Sequence, residues 1–515
     1  MTGRSPVVVV GSGAAGLAAA LGAVAGGSGV VVLERDDTVG GTTALSGGVA
    51  WLPANDAMAA AGLEDSPAEA CRYLEALAAG DVDGELIAAF ASDAGRVARE
   101  IEQATPLRWE LLERWPDYRG EIPGAREGGR SLWPRSFTLP VDVEARVHRA
   151  PDQPTRAGTG DAHNDGVVFR GPVRGRALVG ALLAGAVAAG VEVRTGARVT
   201  DLVVEGAAVM GVKVGEDVVD GRVILASGGF QHDPALAALY LKGAPVVAMG
   251  TPGCAGDGLR LALSRHAQAA NMAEGWWMPA LGVPGEELDG APYYRPLHAE
   301  RAYPGAIMVD RTGRRFVNEA QNYGDVGRSM AREGPGPVPF SAAPCWLVFD
   351  AACRHRYPFG PLRPDDPDPG WLHRADDLRT LAAALGVGEE VLGATVDRFN
   401  EGARQGQDPA FGRGRHPYDR WIGDPTAPHP TLAPLVEAPF YAFEVHLGCM
   451  GTKGGPRTDD RGRVLSVEGA VVPGLYAAGN VAANPFGTAT PAGGGTLGPA
   501  LVFGFRAGEA ATADR

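Results

Sequence analysis

The chain has 515 residues, a length that favours two or more domains, and its 45% hydrophobic and 21% charged residues are typical of a soluble globular protein rather than a disordered chain. Its formal net charge of -14, with no basic run, argues against nucleic acid as a partner. The five cysteines lack the spacing of a zinc site or a disulfide framework, so we expect no metal site.

The start of the chain passes directly into a folded motif and lacks the basic and apolar regions of a secretion signal. The longest apolar stretch, 178–191, is punctuated by glycine and is shorter than the roughly 18 residues of a membrane span. We therefore expect a cytoplasmic protein without a transmembrane segment.

The first predicted elements form a strand, a glycine-rich turn and a helix. The β-branched run Val7–Val10 is typical of a buried parallel strand, and it leads into GSGAAG at residues 11–16. In this GxGxxG pattern, Gly11 permits the tight turn, Gly13 lets a pyrophosphate approach the backbone, and Gly16 lets the helix lie close to the strand. The pattern predicts a dinucleotide site.

A second apolar strand, Val30–Leu33, is followed by Glu34. An acidic side chain at this distance from the glycines can accept hydrogen bonds from a ribose hydroxyl, which disfavours a phosphorylated ribose. Small residues follow in GGTT at 40–43 and SGG at 46–48, where a backbone could pass beside a larger cofactor.

The middle of the chain alternates helical and strand patterns. An Ala-rich helical region covers about 66–103, and the Trp-, Pro- and Arg-rich stretch 109–140 predicts irregular structure over a ligand cavity. A helix from Gly175, paired strands and the buried strand before Gly228 then resume the nucleotide-binding sheet.

A change of amino-acid composition along the chain indicates an inserted domain. Residues 280–437 are richer in Tyr, Trp, Arg and Pro, whereas 438–515 return to a strand, a Gly-rich turn and a helix. We predict an α/β fold in which a discontinuous Rossmann-like domain, residues 1–279 and 438–515, carries an inserted α+β substrate or catalytic domain at 280–437.

The motifs GSGAAGLAAA, GGTTALSGG, ILASGGF and GLYAAGN together resemble the fumarate reductase and succinate dehydrogenase flavoprotein superfamily. Within it, RRFVNE at 314–319, FGRG at 411–414, GDP at 423–425, GTKGG at 451–455 and GGTLGP at 494–499 resemble the 3-ketosteroid delta-1 dehydrogenases. The resemblance implies FAD, and the absence of a His or Cys in a flavin-attachment context predicts that FAD is held non-covalently.

The motifs and the resemblance together imply a set of cofactor-binding residues along the whole chain. These are Gly11, Gly13, Ala14, Ala15, Gly16, Glu34, Arg35, Gly41, Thr42, Thr43, Ser46, Gly47, Gly48, Ala197, Val199, Ala226, Ser227, Gly228, Asp257, Gly479, Asn480, Gly495 and Leu497.

The resemblance also implies the reaction, in which hydrogens leave two adjacent carbons of a cyclic ketone. A base removes the proton alpha to the ketone, a hydride from the beta carbon passes to the flavin, and an oxyanion site stabilises enolate character. Tyr323 takes the place of the family's catalytic base and Tyr118 that of its supporting tyrosine. Gly494 matches the glycine whose N–H meets the ketone oxygen, but Thr490 stands where the family has a Tyr.

Three hypotheses on function remain open at this level. The first is a desaturase of a steroid or of a smaller terpenoid or alicyclic ketone, with an unknown electron acceptor. The second is a fumarate-reductase-like enoate reductase, although Tyr323 replaces that enzyme's Arg. The third is a flavin-binding protein without desaturase turnover, which the altered position at Thr490 supports.

Overall fold

The structure, a computed structural model, describes residues 6–78, 82–135, 139–149, 174–241, 245–332 and 342–514. In chain order its strands are β1 Val7–Val10, β2 Val30–Leu33, β3 Ala50–Trp51, β4 Trp109–Leu111, β5 Ser131–Pro134, β6 Glu192–Arg194, β7 Val199–Glu205, β8 Ala208–Val214, β9 Asp217–Asp220, β10 Arg222–Leu225, β11 Val246–Ala248, β12 Ala269–Ala270, β13 Gly275–Leu288, β14 Ala291–Pro296, β15 Ala306–Val309, β16 Cys345–Asp350, β17 His373–Ala375, β18 Phe440–Thr452, β19 Gly455–Pro456, β20 Arg463–Leu465 and β21 Val471–Ala477.

The helices alternate with these strands. They are α1 Ala14–Ala25, α2 Gly41–Leu45, α3 Asp56–Ala60, α4 Pro67–Leu77, α5 Gly84–Ala104, α6 Val141–Arg146, α7 Arg174–Ala188, α8 Pro234–Tyr240, α9 Asp257–Leu263, α10 Tyr323–Met330, α11 Ala351–Arg356, α12 Leu378–Leu385, α13 Glu389–Ala403, α14 Pro417–Ile422 and α15 Leu497–Ala513. Among these described helices, none is both long and apolar enough to cross a bilayer.

The first sheet has the strand order β20-β21-β10-β1-β2-β6. All its neighbours pair in parallel except β20, which runs antiparallel to β21. The continuous apolar run of β1 suits this central position, because helices cover both faces of a parallel sheet. Since β21 lies near the C-terminus and β1 near the N-terminus, the two ends of the chain complete one sheet, and the predicted α/β fold class is confirmed.

Helices α1 and α15 bring the two chain ends into close contact beside this sheet. A Cβ at Gly22 would lie 2.2 Å from the carbonyl oxygen of Phe505, and one at Gly508 would lie 2.1 Å from that of Ala19. Only glycine permits such an approach of two backbones. The C-terminal helix is therefore seated directly on the helix that follows the first glycine-rich turn.

The second sheet has the order β14-β13-β18-β16-β15, and β11 and β17 also pair with the long strand β18. Its strand β13 begins at Gly275 and β18 ends at Thr452. The sheet therefore includes residues on both sides of the boundaries expected for the inserted domain, 280–437. Those boundaries stay a prediction.

The stretch 109–140 is less irregular than its composition indicates. Strands β4 and β5 lie in it and form a three-stranded sheet with β3. Strands of two to four residues carry too little periodicity to be recognised, and here the pairing partner β3 is distant in sequence. The expectation of irregular structure throughout was wrong for these residues.

Candidate active site

The carboxyl ends of β1, β2 and β10 border a cleft with about 920 Å³ of empty space, which includes part of the solvent at its mouth. This is the edge of a parallel sheet at which ligands bind in dinucleotide-binding folds. Of the predicted cofactor residues, the following line the cleft: Gly11, Gly13, Ala14, Ala15, Glu34, Arg35, Gly41, Thr42, Thr43, Ala197, Val199, Ala226, Ser227, Gly228, Asp257, Gly479, Asn480 and Leu497.

Gly16, Ser46, Gly47, Gly48 and Gly495 were predicted with this set but are not among the lining residues. Gly16 instead packs on its own turn, where a Cβ would lie 1.9 Å from the carbonyl oxygen of Gly11. Sequence analysis missed other lining residues, because small or polar loop residues outside the glycine motifs carry no recognisable signal; they include Ser12, Gly40, Arg198, Thr251, Cys254, Met450 and Thr496.

Glu34 faces the glycine-rich turn from the end of β2. Its Oε2 accepts hydrogen bonds from the backbone N–H of Ser12 at 3.0 Å and from the Ser12 hydroxyl at 2.5 Å, and its Oε1 accepts from the N–H of Asp36 at 3.0 Å. Burial raises the pKa of Glu34, and these hydrogen bonds oppose the rise. Glu34 therefore shapes the turn in addition to lining the cleft, a second role that its position in sequence did not indicate.

The cleft wall leaves room for a large ligand at several glycines. A Cβ at Gly13 would meet Thr43 Oγ1 at 3.3 Å, and one at Gly41 would meet only Thr251 Oγ1 at 3.8 Å. The hydroxyl of Ser227, also on the wall, is buried and has no hydrogen-bond partner among the described residues. Open backbone at the start of α1 and an unpaired buried hydroxyl fit the pyrophosphate and polar edges of FAD.

The rim of the cleft is charged and internally paired. Asp257 accepts from Arg35 Nη1 at 3.2 Å and from Arg198 Nη2 at 2.9 Å. Arg35 also reaches the carbonyl oxygen of Gly253 at 3.3 Å. These ion pairs and hydrogen bonds hold α9 against the strands that form the cleft wall. Separately, the described residues include no group of acidic, His or Cys side chains placed to bind a metal.

Tyr118 and Tyr323 meet in a buried aromatic cluster beside this cleft. Their ring centroids are 5.6 Å apart in an edge-to-face arrangement, and a third tyrosine, Tyr418 of α14, packs 4.5 Å from Tyr118. Met450, which lines the cleft, also packs on the cluster. The structure thus brings together the two tyrosines expected from sequence and adds Tyr418, which lies between the FGRG and GDP motifs but belongs to neither.

A buried cation lies against these tyrosines. Arg301 is fully buried, and its Nη1 donates to the carbonyl oxygens of Glu319 and Gln321, whereas its Nε and Nη2 have no acceptor among the described residues. Burial raises the pKa of Tyr323, and the hydroxyl of Tyr118 and the charge of Arg301 oppose that rise. The guanidinium therefore favours the phenolate form that a base requires.

The loop that carries Tyr118 is held to the turn at 488–496. The backbone N–H of Tyr118 donates to the carbonyl oxygen of Pro491 at 2.9 Å, and the hydroxyl of Tyr73 donates to the same oxygen at 2.7 Å. Arg119 pairs with Asp325 of α10 at 2.6 Å. The two segments that carry the tyrosines are thus tied to each other and to the turn.

Gly494 lies in this turn with a φ of +90°, and a Cβ there would lie 2.6 Å from the backbone nitrogen of Trp51. Its carbonyl oxygen accepts from the N–H groups of Trp51 and Gly498, whereas its own N–H has no acceptor among the described residues. A free N–H in a rigid turn can serve as an oxyanion donor.

Thr490 of the same turn is close to both Gly324 and Lys453. A Cβ at Gly324, the residue after Tyr323, would lie 3.0 Å from Thr490 Oγ1, and Lys453 Nζ donates to that oxygen at 3.2 Å. Burial, with a smaller contribution from Arg328, lowers the pKa of Lys453 to about 7. Lys453 was noted only as part of a motif, since a lysine in a Gly-rich turn gives no sign of burial.

Two residues of β18 that could have suggested chemistry have packing roles. Cys449 is buried, its thiol donates to the carbonyl oxygen of Gly451, and burial raises its pKa to about 12. His446 packs against Tyr294 with ring centroids 5.4 Å apart. Among the described residues Cys449 has no adjacent base, and the Nδ1 of His446 lies 3.7 Å from Oε1 of the exposed Glu444, an ion-pair contact within β18.

The parallel sheet, the open glycine turns and the cleft at the strand ends define a dinucleotide-binding protein with a buried tyrosine cluster beside its ligand cleft. The chain belongs to the FAD binding domain family, whose model matches residues 6–497. It is therefore an FAD-dependent oxidoreductase, and FAD is confirmed as its cofactor.

Individual relatives refine this assignment. The chain is 38% identical to 4-oxocyclohexanecarboxylate 2-dehydrogenase of Sinomonas cyclohexanicum, over 98% of this chain and 92% of that protein. It is 37% identical to 3-oxosteroid 1-dehydrogenase of Mycobacterium tuberculosis, over 97% of both. The crystal structure of 3-ketosteroid delta1-dehydrogenase from Sterolibacterium denitrificans superposes with a TM-score of 0.90 at 32% identity and full coverage of both chains. The likeness to the ketosteroid dehydrogenases is thus confirmed.

Proposed function

We propose that this protein desaturates a cyclic ketone, introducing a C=C bond alpha and beta to the carbonyl. The observation that carries the proposal is the placement of Tyr118 and Tyr323, with centroids 5.6 Å apart, on segments tied to the turn that holds the free N–H of Gly494. Both closely similar curated proteins are named as dehydrogenases of cyclic ketones.

Each chemical role then has a residue on this chain. When bound, FAD supplies the two-electron acceptor for the oxidation. The phenolate oxygen of Tyr323, whose formation Tyr118 and Arg301 favour, takes the proton from the alpha carbon and becomes the hydroxyl. The N–H of Gly494 and the hydroxyl of Thr490 hold the ketone oxygen as negative charge develops on it.

The burial of this cluster supports the same chemistry. Tyr118, Tyr323 and Tyr418 are 3%, 9% and 1% exposed. A site from which water is largely excluded strengthens hydrogen bonds to a developing enolate, because the local dielectric is low. Burial also raises the pKa of all three tyrosines. A tyrosine base in this cluster therefore needs a nearby positive charge, which Arg301 supplies.

A panel of cyclic ketones added anaerobically to the holoprotein tests the proposal. We expect bleaching of the flavin absorbance by at least one 4-oxocyclohexanecarboxylate-like or 3-oxosteroid ketone, and a product lighter by two hydrogens. If no ketone in the panel reduces the flavin, a flavin-binding protein without desaturase turnover becomes the better reading. Oxidation of the reduced holoprotein by fumarate but not by an enone would instead favour the enoate reductase.

The Thr490 position predicts selectivity within that panel. A Thr side chain is shorter than the family's Tyr by a whole ring, so a 3-oxosteroid in the family's pose would lose one donor to its carbonyl. We expect such steroids to reduce the flavin about 100-fold more slowly than the best alicyclic ketone, the scale of one oxyanion donor. The matched variant Thr490→Tyr should narrow that gap, and rapid steroid oxidation unaffected by Thr490→Tyr would show that Thr490 does not set specificity.

A further inference from the structure

Lys453 is a buried lysine directly beneath the turn that carries Thr490. It is 1% exposed, and its Nζ donates to the carbonyl oxygens of Thr488 at 2.8 Å and Ala489 at 2.9 Å and to Thr490 Oγ1 at 3.2 Å. No salt bridge involves Lys453 among the described residues. All the hydrogen bonds of its ammonium group are therefore directed at one turn.

The number of acceptors favours the charged form of this side chain, in opposition to the burial that lowers its pKa to about 7. Three oxygens match the three N–H groups of an ammonium, whereas a neutral amine has two. The nitrogen also lies 4.1 Å from the centroid of the Trp276 ring, a position that favours a cation. The nearby acids do not compete for it, because Glu274 and Asp325 both pair with Arg328.

The hydroxyl of Thr490 keeps its hydrogen-bond donor available in this arrangement. Its oxygen accepts from Lys453, so its own proton is left to donate, and no described residue accepts it. The hydroxyl lies beside the first turn of α10, next to the residue that follows Tyr323. In a ketone only one carbon separates the oxygen from the alpha carbon, so a base on α10 and a donor beside α10 can act on the same substrate.

We propose that Lys453 is a positioning residue that polarises the Thr490 hydroxyl, so that Thr490 and the N–H of Gly494 form a charge-assisted two-donor site for the ketone oxygen. The inference rests on the proposed desaturase function and explains how the chain works without a tyrosine at this position. A hydroxyl that accepts from an ammonium is a stronger donor, because linked hydrogen bonds polarise one another in a dry site. No bond to the oxygen forms or breaks; the two hydrogen bonds strengthen with enolate character and relax when the product carbonyl forms.

A double-mutant cycle on flavin reduction tests this coupling. Single-turnover rates are measured for Lys453→Met, Thr490→Val and the double variant, with the surface substitution Lys213→Met as the matched control. We expect Thr490→Val to be slower by about 100-fold and Lys453→Met to show a large part of that loss. The double variant should be no slower than Thr490→Val, because Lys453 acts only through the Thr490 hydroxyl. A double variant slower by the product of the two losses would show that Lys453 does not act through Thr490 and would overturn the inference.

Binding of 4-nitrophenol to the oxidised holoprotein gives a readout that does not depend on turnover. Its phenolate carries the oxygen charge of an enolate in a stable form, and its ionised fraction is visible in its own spectrum. We expect the wild type to bind the phenolate in preference to the phenol, and Lys453→Met and Thr490→Val each to lose that preference to the same extent. An unchanged ionised fraction in both variants would contradict the inference.

The two readouts separate this inference from the proposed function. If ketones reduce the flavin but the variants and the wild type behave alike in both assays, the desaturase assignment stands and the role of Lys453 falls. If no ketone reduces the flavin yet phenolate binding requires both residues, the anion site stands and the desaturase assignment falls. If Lys453→Met does not retain FAD, Lys453→Arg replaces it in the phenolate assay, because arginine keeps the positive charge. A loss of phenolate preference in Lys453→Arg as large as that in Thr490→Val counts against the proposal.

Discussion

At the scale of single residues, Tyr323 combines burial with a position at the first turn of α10. Asn322 caps this helix, since its side chain accepts the N–H of Asp325 at 3.0 Å, and the cap fixes where the tyrosine begins the helix. The ring is held by Tyr118 on one side, so its orientation is set by packing as well as by the backbone. A general base must first lie within hydrogen-bond reach of the proton that it removes, and only then does its pKa affect the rate.

Tyr323→Phe is expected to retain FAD and ketone binding while slowing flavin reduction by about 100-fold or more, the usual scale of general-base catalysis. The ring and its contacts survive, whereas the proton acceptor is lost. Rapid-mixing measurements under anaerobic conditions give the rate, and the flavin spectrum and the ketone dissociation constant serve as controls. Reduction at the wild-type rate would assign proton abstraction to another group.

Arg301 predicts a pH dependence whose sign follows from its charge. Tyr323 must be deprotonated to act as a base, so the rate should rise with pH as the phenolate forms. Burial raises the pKa of Tyr323 and Arg301 opposes the rise, so removal of the cation raises that pKa further. Arg301→Met should therefore move the rising limb of the pH profile to higher pH, with a loss of about tenfold at neutral pH for each unit of displacement.

Arg301→Lys is the matched variant for this test, because it keeps the charge while changing the contacts to Glu319 and Gln321. It should restore most of the displacement of the pH profile. A loss of rate in Arg301→Met that is the same at every pH would mean that the residue acts only by holding the loop in place.

At the scale of elements, the segment before α10 depends on a buried network of charges. Glu319 is 0% exposed and pairs with Arg315 at 2.7 Å and with Arg413 at 3.1 Å, and Arg315 also pairs with Asp408 at 2.9 Å. Arg413 further donates to the carbonyl oxygens of Ala306 and Tyr303. The RRFVNE and FGRG motifs therefore include structural residues that join the loop before Tyr323 to the second sheet.

Arg413→Met is expected to destabilise the protein by about 3–5 kcal/mol, because it leaves the buried Glu319 carboxylate short of a partner and removes a donor from the carbonyl oxygens of Ala306 and Tyr303. The displacement of the urea midpoint for loss of near-UV circular dichroism measures this. Arg194→Met, which breaks an exposed pair with Glu192, is the control and should leave the midpoint nearly unchanged. Equal behaviour of the two variants would show that the network contributes little.

At the scale of the whole molecule, FAD is expected to join the parts of the chain that meet at the cleft. The walls come from α1 and β2 near the N-terminus and from Asn480 and Leu497 near the C-terminus. A ligand that binds only the folded state stabilises it in proportion to the logarithm of its concentration over its dissociation constant, about 2.7 kcal/mol at a hundredfold excess. The holoprotein should therefore melt well above the apoprotein.

Gly13→Val tests this linkage without damaging the turn itself. Its Cβ would lie 3.3 Å from Thr43 Oγ1 and 3.9 Å from the carbonyl oxygen of Gly40, so the protein can accept the change while the approach of a pyrophosphate is blocked. We expect a folded, colourless protein that melts like the wild-type apoprotein and gains nothing from added FAD. Gly16→Ala is the contrasting variant, since its Cβ would clash with the carbonyl oxygen of Gly11 and should lower the melting temperature even without FAD. Full FAD content in Gly13→Val would refute the role of Gly13.

The N-terminal part of the cofactor site could be predicted from sequence, because its conformation depends on neighbouring residues. A β-branched strand, a turn with Gly11 at a φ of +102° and a helix are dictated by neighbouring residues, and the acid after β2 follows at a characteristic spacing. The positions of Tyr118 and Tyr323 came from a resemblance of motifs. In each case the signal lies within a few consecutive residues.

Tertiary structure decided what joins distant segments. Tyr418, Arg301 and Lys453 lie far from one another in sequence, and nothing in their own neighbourhoods distinguishes a buried, functional side chain from an exposed one. Their burial and their contacts arise only when the segments that carry them pack against α10 and the turn at 488–496, because desolvation and pairing depend on contacts across the fold. The sequence by itself thus determined the dinucleotide turn, whereas the surroundings of the tyrosines and of Thr490 were decided by packing.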